Sequence, residues 1–218
     1  MPLIPQFIIS HSHTGVKQGK TAEEVLAMAT EKGFSYVGSA GYVAWSSAVL
    51  TQLRKPTVPL LFRQMYEAES STYTYLLADE QTKEAILIDP VLETVERDLE
   101  IIKNLGLTLK YMLNTHCHAD HITGTGKIKQ TLAATGSTCQ SVIAKASSAV
   151  ADIHLVDGDK VTFGSRYVMG FSTPGHTAGC FSFVLDDFSL VLSGDALLIR
   201  SCGRTDFQVT SLRTILFY

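Results

Sequence analysis

From residue 59 onward the chain carries two hydrophobic periods in turn. Leu60-Leu61-Phe62 opens an apolar segment, and Tyr73-Thr74-Tyr75-Leu76-Leu77 mixes aromatic, β-branched and aliphatic side chains as strands do. A polar turn, Glu80-Gln81-Thr82-Lys83, leads into Ala85-Ile86-Leu87-Ile88, a continuous apolar run that reads as a buried strand stopped by Asp89-Pro90. Leu92, Val95, Leu99, Ile102 and Leu105 then recur at three-to-four spacing before Gly106, which predicts a helix over 92–105. A strand at 109–114, a helix through Ile128 and Leu132, a strand at Gln140–Ala144 and a short Ala/Ser helix follow. His154-Leu155-Val156 and Val161-Thr162-Phe163 flank Asp157-Gly158, the pattern of a hairpin with an Asp-Gly turn. Strands at Tyr167–Phe171, Cys180–Leu185 and Leu190–Leu192 complete the set. Strands alternating with helices and then succeeding one another predict an α+β fold, a two-sheet sandwich flanked by helices.

Residues 1–58 read differently and are expected to be an N-terminal extension ahead of a domain at 59–218. A helix is predicted from Thr21 to Lys32, with Thr21 as N-cap and Glu24 three positions on. From Gly33 to Tyr66 there is no acidic residue, while Arg54, Lys55 and Arg63 are present among Ser, Ala and Gly. That composition is one an organelle transit peptide shares, although Glu23, Glu24 and Glu31 lie upstream of it. His11 and His13 repeat an H-x-H spacing without a carboxylate beside them and are read as exposed bystanders.

With 218 residues the chain can bury a sizeable core, and 45% hydrophobic against 18% charged residues describe a globular protein. A net charge of −3 disfavours nucleic acid and anionic membrane surfaces as partners. No apolar run approaches the roughly 20 residues of a membrane span. The 4 cysteines, at 117, 139, 180 and 202, lack C-x-x-C spacing, which points to free thiols in a reducing compartment.

The densest chemistry lies in Thr115-His116-Cys117-His118-Ala119-Asp120-His121, directly after the strand ending near 114. On an extended chain, positions i, i+2 and i+4 share a face, so His116, His118 and Asp120 are expected to converge and Cys117 to point away. Imidazole with carboxylate suits zinc or iron. Pro174-Gly175-His176-Thr177 and Gly194-Asp195 each follow an apolar run. Each alone reads as a turn; behind the His-rich stretch, both become candidate ligands.

This ordered set resembles the metallo-β-lactamase superfamily. Ile88-Asp89-Pro90-Val91, Asn114 through Gly124, Gly194-Asp195-Ala196-Leu197-Leu198-Ile199-Arg200 and Cys202 through Gln208 are similar to its persulfide dioxygenase branch. The resemblance, from about Leu61 to Gln208, implies an αββα two-sheet sandwich. It implies one Fe(2+) per chain, held by His116, His176 and Asp195, with zinc as the alternative metal. His118, Asp120 and His121 would be supporting groups or ligands of a second metal, Asp120 being the candidate acceptor for a ligating imidazole's other N–H. Arg204 and Arg200 would bind the glutathione carboxylates, and Cys202 between them is a candidate thiol. The implied reaction oxidises glutathione persulfide with O2 to sulfite and glutathione in the mitochondrial matrix, with the cytoplasm as the alternative compartment and a homodimer as an assembly to test. A glyoxalase II-type thioester hydrolase and an inactive fragment are the alternatives. After Gln208 the family pattern of further helix, strand and a late His-bearing loop is not met. An incomplete second metal site and an exposed sheet edge are therefore expected.

Overall fold

The computed structural model of the chain describes residues 59–206. The expected extension at 1–58, with its helix and transit-peptide composition, and the last residues of the resemblance, Phe207 and Gln208, lie outside the described residues.

Six strands build the larger sheet in strict chain order: β1 (Leu60–Tyr66), β2 (Tyr73–Asp79), β3 (Glu84–Ile88), β4 (Thr108–Leu113), β5 (Gln140–Ala144) and β6 (Ile153–Leu155). β1, β2 and β3 are antiparallel, and β3 to β6 run parallel. Parallel neighbours need crossovers; helix α1 (Val95–Asn104), entered through a 3-10 turn at Leu92–Thr94, and helix α2 (Thr125–Ala134) supply the first two. The second sheet is wholly antiparallel, in the order β10 (Val191–Leu192), β9 (Phe181–Leu185), β8 (Arg166–Ser172), β7 (Lys160–Phe163).

Side-chain alternation divides the apolar residues into two cores. Leu77, Ile86, Ile88, Leu113 and Val142 meet Val161, Phe163, Val168, Phe181, Phe183 and Leu185 between the sheets. Leu76, Ala78, Leu87 and Met112, on the opposite face of the large sheet, pack under Val95 and Ile102 of α1 and Ile128 of α2. Leu109 and Met112 share this outer face despite odd spacing because the β3–β4 register shifts between Ala85 and Ile86, leaving Lys110 unpaired. Among the described residues, helices cover one outer face of the sandwich, so the second helical layer of an αββα arrangement is not found there.

The hairpin expected at 154–163 does not form. β6 pairs with β5 in the large sheet and β7 with β8 in the small one. Leu155 and Val161 both enter the inter-sheet core, from opposite sides, so they cannot be partners on one sheet. The Asp157-Gly158 turn instead carries the chain across, held by Gly158 N–H to the Gly170 carbonyl (2.8 Å) and Gly170 N–H to the Asp159 carbonyl (2.9 Å).

A carboxylate stitches the sheets at the other end. Buried Asp79 accepts the Gln81 and Thr82 N–H groups on Oδ1, and the Ser165 N–H (2.7 Å) and hydroxyl (2.8 Å) on Oδ2. Burial alone would raise its pKa, but the Ser165 and turn hydrogen bonds outweigh it and bring the group down to about 2. A depressed folded-state pKa contributes stability that is present above the unfolded value and lost as pH falls toward the folded one. Asp79→Asn should therefore cost about 1–2 kcal/mol near neutral pH, and the gap to the parent should close in urea melts taken from pH 4 down toward pH 2. A gap independent of pH would exclude this account.

Candidate metal centre

The site lies where the two sheets meet. Strand pairing of β4 ends with Leu113 opposite Val142; Asn114 N–H still reaches the Val142 carbonyl (3.0 Å), and the chain then bends where Thr115 N–H binds Asp89 Oδ1 at 2.7 Å. Across the gap, the Thr115 carbonyl accepts the Phe181 N–H of the small sheet (2.8 Å). His176 stands in the loop after β8, and Asp195 follows β10 in a short 3-10 turn, Gly194–Ala196. Gly194 has φ of 49°, and a Cβ there would collide with the Thr115 hydroxyl. Only glycine lets the Asp195 loop lie this close to the His116 loop.

One ligand-type atom from each of His116, His176 and Asp195 lies within 4.8 Å of the others, and His176 Nε2 is 3.7 Å from Asp195 Oδ2. Two ligands about 2.1 Å from a shared ion stand roughly 3–4 Å apart, so this spacing fits a metal. His118, Asp120 and His121 form a second cluster, their ligand-type atoms likewise within 4.8 Å of one another. The expected convergence of His116, His118 and Asp120 is thus split between two clusters, since 115–121 is a bent loop and not an extended strand. The rings of His116 and His118 still adjoin, with centroids 4.0 Å apart.

The donors are held in defined states. His176 Nδ1 donates to the Arg204 carbonyl (2.9 Å), leaving Nε2 toward Asp195. His116 Nδ1 lies 2.9 Å from the Thr115 hydroxyl. Burial, reinforced by the charge of His118, pushes the His116 imidazolium down to about 4, so the ring is neutral at pH 7 and suited to ligation. Burial also works on the pair behind it. It would raise the Asp89 carboxyl, but the facing His118 Nε2 at 3.1 Å holds it below the ordinary carboxylate value. His118 is in turn raised, Asp89 outweighing its burial.

Other candidates sit elsewhere. Asp120 faces His121 Nδ1 (3.3 Å) and not the His116 ring; buried His121 Nε2 has no hydrogen-bond partner among the described residues. Arg204 reaches the site through its carbonyl, while its exposed guanidinium pairs with Asp206 (2.9 Å). Arg200 is exposed, as is Cys202. Cys117 is exposed and lines a cleft of about 370 Å³ together with His116, His118, Asn114, Lys129 and Asp152. Asp89 and Thr115 were not distinguishable as site residues from sequence. Asp89-Pro90 reads as a strand stop, and only the positive φ of Asp89 (52°), unusual for a non-glycine residue, marks it as held for a purpose.

The Metallo-beta-lactamase superfamily model matches residues 68–217. Over 166 residues the chain is 54% identical to "Persulfide dioxygenase ETHE1, mitochondrial" of Mus musculus, covering 76% of this chain and 64% of that protein. A hydroxyacylglutathione hydrolase of Rhodospirillum rubrum is 37% identical over 139 residues, covering 62% of this chain and 51% of the relative. Among solved structures, ETHE1 from Myxococcus xanthus aligns with a TM-score of 0.62 at 46% identity, covering 68% of this chain and 63% of that one. The chain thus spans about 64% of the length of the mouse relative.

Proposed function

Because the chain belongs to the metallo-β-lactamase superfamily, we propose that its site is that of an iron-dependent persulfide dioxygenase, in which His116, His176 and Asp195 hold one Fe(2+). What supports this reading is the convergence of two imidazoles and one carboxylate from three loops, in a chain 54% identical to a protein named for that activity. Glutathione persulfide, O2 and water would give glutathione and sulfurous acid, released as sulfite. Ferrous iron, when bound, supplies open positions for O2 and sulfur. The protein's share is positional. His116 and His176 present Nε2 lone pairs, and the cleft beside His116 accepts the organic part of the substrate. A glutathione carboxylate at Arg204 would exchange for Asp206, and Arg200 offers a second cation nearby in the chain. The mitochondrial matrix is the proposed compartment, after the name of the mouse relative.

A second reading rests on the His118–Asp120–His121 cluster and on His121 Nε2, which has no hydrogen-bond partner among the described residues, features that together suit a second metal, and on the likeness to the Rhodospirillum hydrolase. Elemental analysis with an oxygen electrode separates the two. The dioxygenase should carry about one iron and consume one O2 per glutathione persulfide, releasing sulfite. About two zinc ions per chain, with anaerobic cleavage of a glutathione thioester, would replace it with the hydrolase.

A further inference from the structure

We infer that Thr115 is a positioning residue whose hydroxyl fixes the Nδ1–H tautomer of His116, passing the orientation of the buried Asp89 carboxylate to the ring. The argument is one of donor counting. Thr115 Oγ1 has a single proton. It is spent on Asp89 Oδ2, at 2.8 Å. Asp89 has no proton to return from Oδ2, because the Thr115 N–H at 2.7 Å and His118 Nε2 at 3.1 Å, both on Oδ1, hold the group as the carboxylate. Toward His116 Nδ1, 2.9 Å away, the hydroxyl is therefore an acceptor, and Nδ1 must carry the hydrogen. A neutral imidazole with Nδ1–H has its lone pair on Nε2. The nitrogen turned away from the relay is thereby the one free to bind.

The relay is rigid. Thr115 and Asp89 are buried, at 1% and 3% exposure, and the Thr115 side chain is packed against Gly194. Threonine is stiff at χ1, and here the backbone is fixed as well: its N–H is tied to Asp89 and its carbonyl to Phe181 N–H. His176 obtains the same tautomer by a different route, from the Arg204 carbonyl. Both imidazoles are thus set before any ligand arrives, one through the large sheet and one through the loop that follows Asp195. The other ring N–H of a metal-ligating histidine is usually given directly to a carboxylate, a backbone carbonyl or water; here a hydroxyl is interposed, and Asp89 also reaches His118.

The inference rests on the proposed ligand role of His116, but its primary readout needs no metal. The full chain, labelled with ¹⁵N-histidine and stripped of metal, is compared with Thr115→Val and Thr115→Ser. In the parent and in Thr115→Ser, the His116 ring nitrogens should report protonated Nδ1 and bare Nε2. In Thr115→Val that pattern should be lost while the thermal melt stays cooperative. Chelator competition with Fe(2+) should then show affinity reduced about 10–100-fold in Thr115→Val and restored to within about threefold in Thr115→Ser. If Thr115→Val does not melt cooperatively, Thr115→Ala, which removes the same hydroxyl with less bulk, takes its place. An unchanged tautomer in the variant lacking the hydroxyl, or a serine variant as impaired as valine, overturns the inference. A parent with the expected tautomer that binds no iron would leave the relay standing and remove the dioxygenase reading instead.

Discussion

Asp195→Ala should leave a folded protein that no longer retains iron and no longer consumes O2 with glutathione persulfide. Asp195 is the only carboxylate in the cluster with His116 and His176, and it is partly open to solvent, its side chain 42% exposed. Its removal therefore creates no buried cavity, and the melt of the metal-free protein should move little. An ion held as proposed would, by contrast, lose its one anionic ligand. Apparent binding free energies for zinc in small sites run to about 10–16 kcal/mol, so each of three or four ligands accounts for about 4 kcal/mol, or about 1,000-fold in affinity. Chelator competition measures this directly. Iron content and turnover equal to the parent would remove Asp195 from the site.

The second large effect is expected at Phe183→Ala, which should lower stability by about 3–5 kcal/mol. Phe183 lies on β9, the strand flanked by both β10 and β8, and is completely buried between the sheets. Its ring lies 6.4 Å from that of Phe181. Gly170 on β8 leaves space for the pair, since a Cβ there would come within 2.8 Å of Phe181 and 3.5 Å of Phe183. For a domain of about 150 residues, each kcal/mol shifts the melting midpoint by about 2–4 °C, so a fall of about 10 °C is expected by calorimetry. A loss below about 1 kcal/mol would mean the sheets close over the gap.

Much of this architecture is carried by local patterning. Ala85–Ile88 reads as a strand because a strand covered on both faces has no polar side to display, and it is buried throughout; Gln140–Ala144 is buried from Ser141 on, its first residue exposed. α1 was marked by its three-to-four spacing, although the first turn tightens into a 3-10 segment at Leu92–Thr94. What local patterning does not carry is which sheet a strand joins. Leu155-Val156 and Val161-Thr162-Phe163 have the composition of a hairpin, but each strand takes its other chain neighbour instead: Leu155 pairs with Ala144 in the large sheet and Val161 with Val168 in the small one. The site divides in the same way. His116 stands out in its His-rich run, while His176 and Asp195, each alone an ordinary turn, stand out only in order behind it. Thr115 and Asp89 are common residues whose importance comes only from a contact spanning 26 positions, and His116 falls in a different cluster from His118 and Asp120 because of a bend that alternation along a strand does not anticipate.

The candidate ligands come from both sheets: His116 extends the large one, while His176 and Asp195 extend the small one. An ion held by all three would act as a clasp across the sandwich, since prying the layers apart would require the ion to leave. Resistance to heat would then become a matter of iron supply. Free metal at 100 times its dissociation constant would add about 2.7 kcal/mol to the folded state, so a cell starved of iron would hold less of this protein as well as a less active form of it.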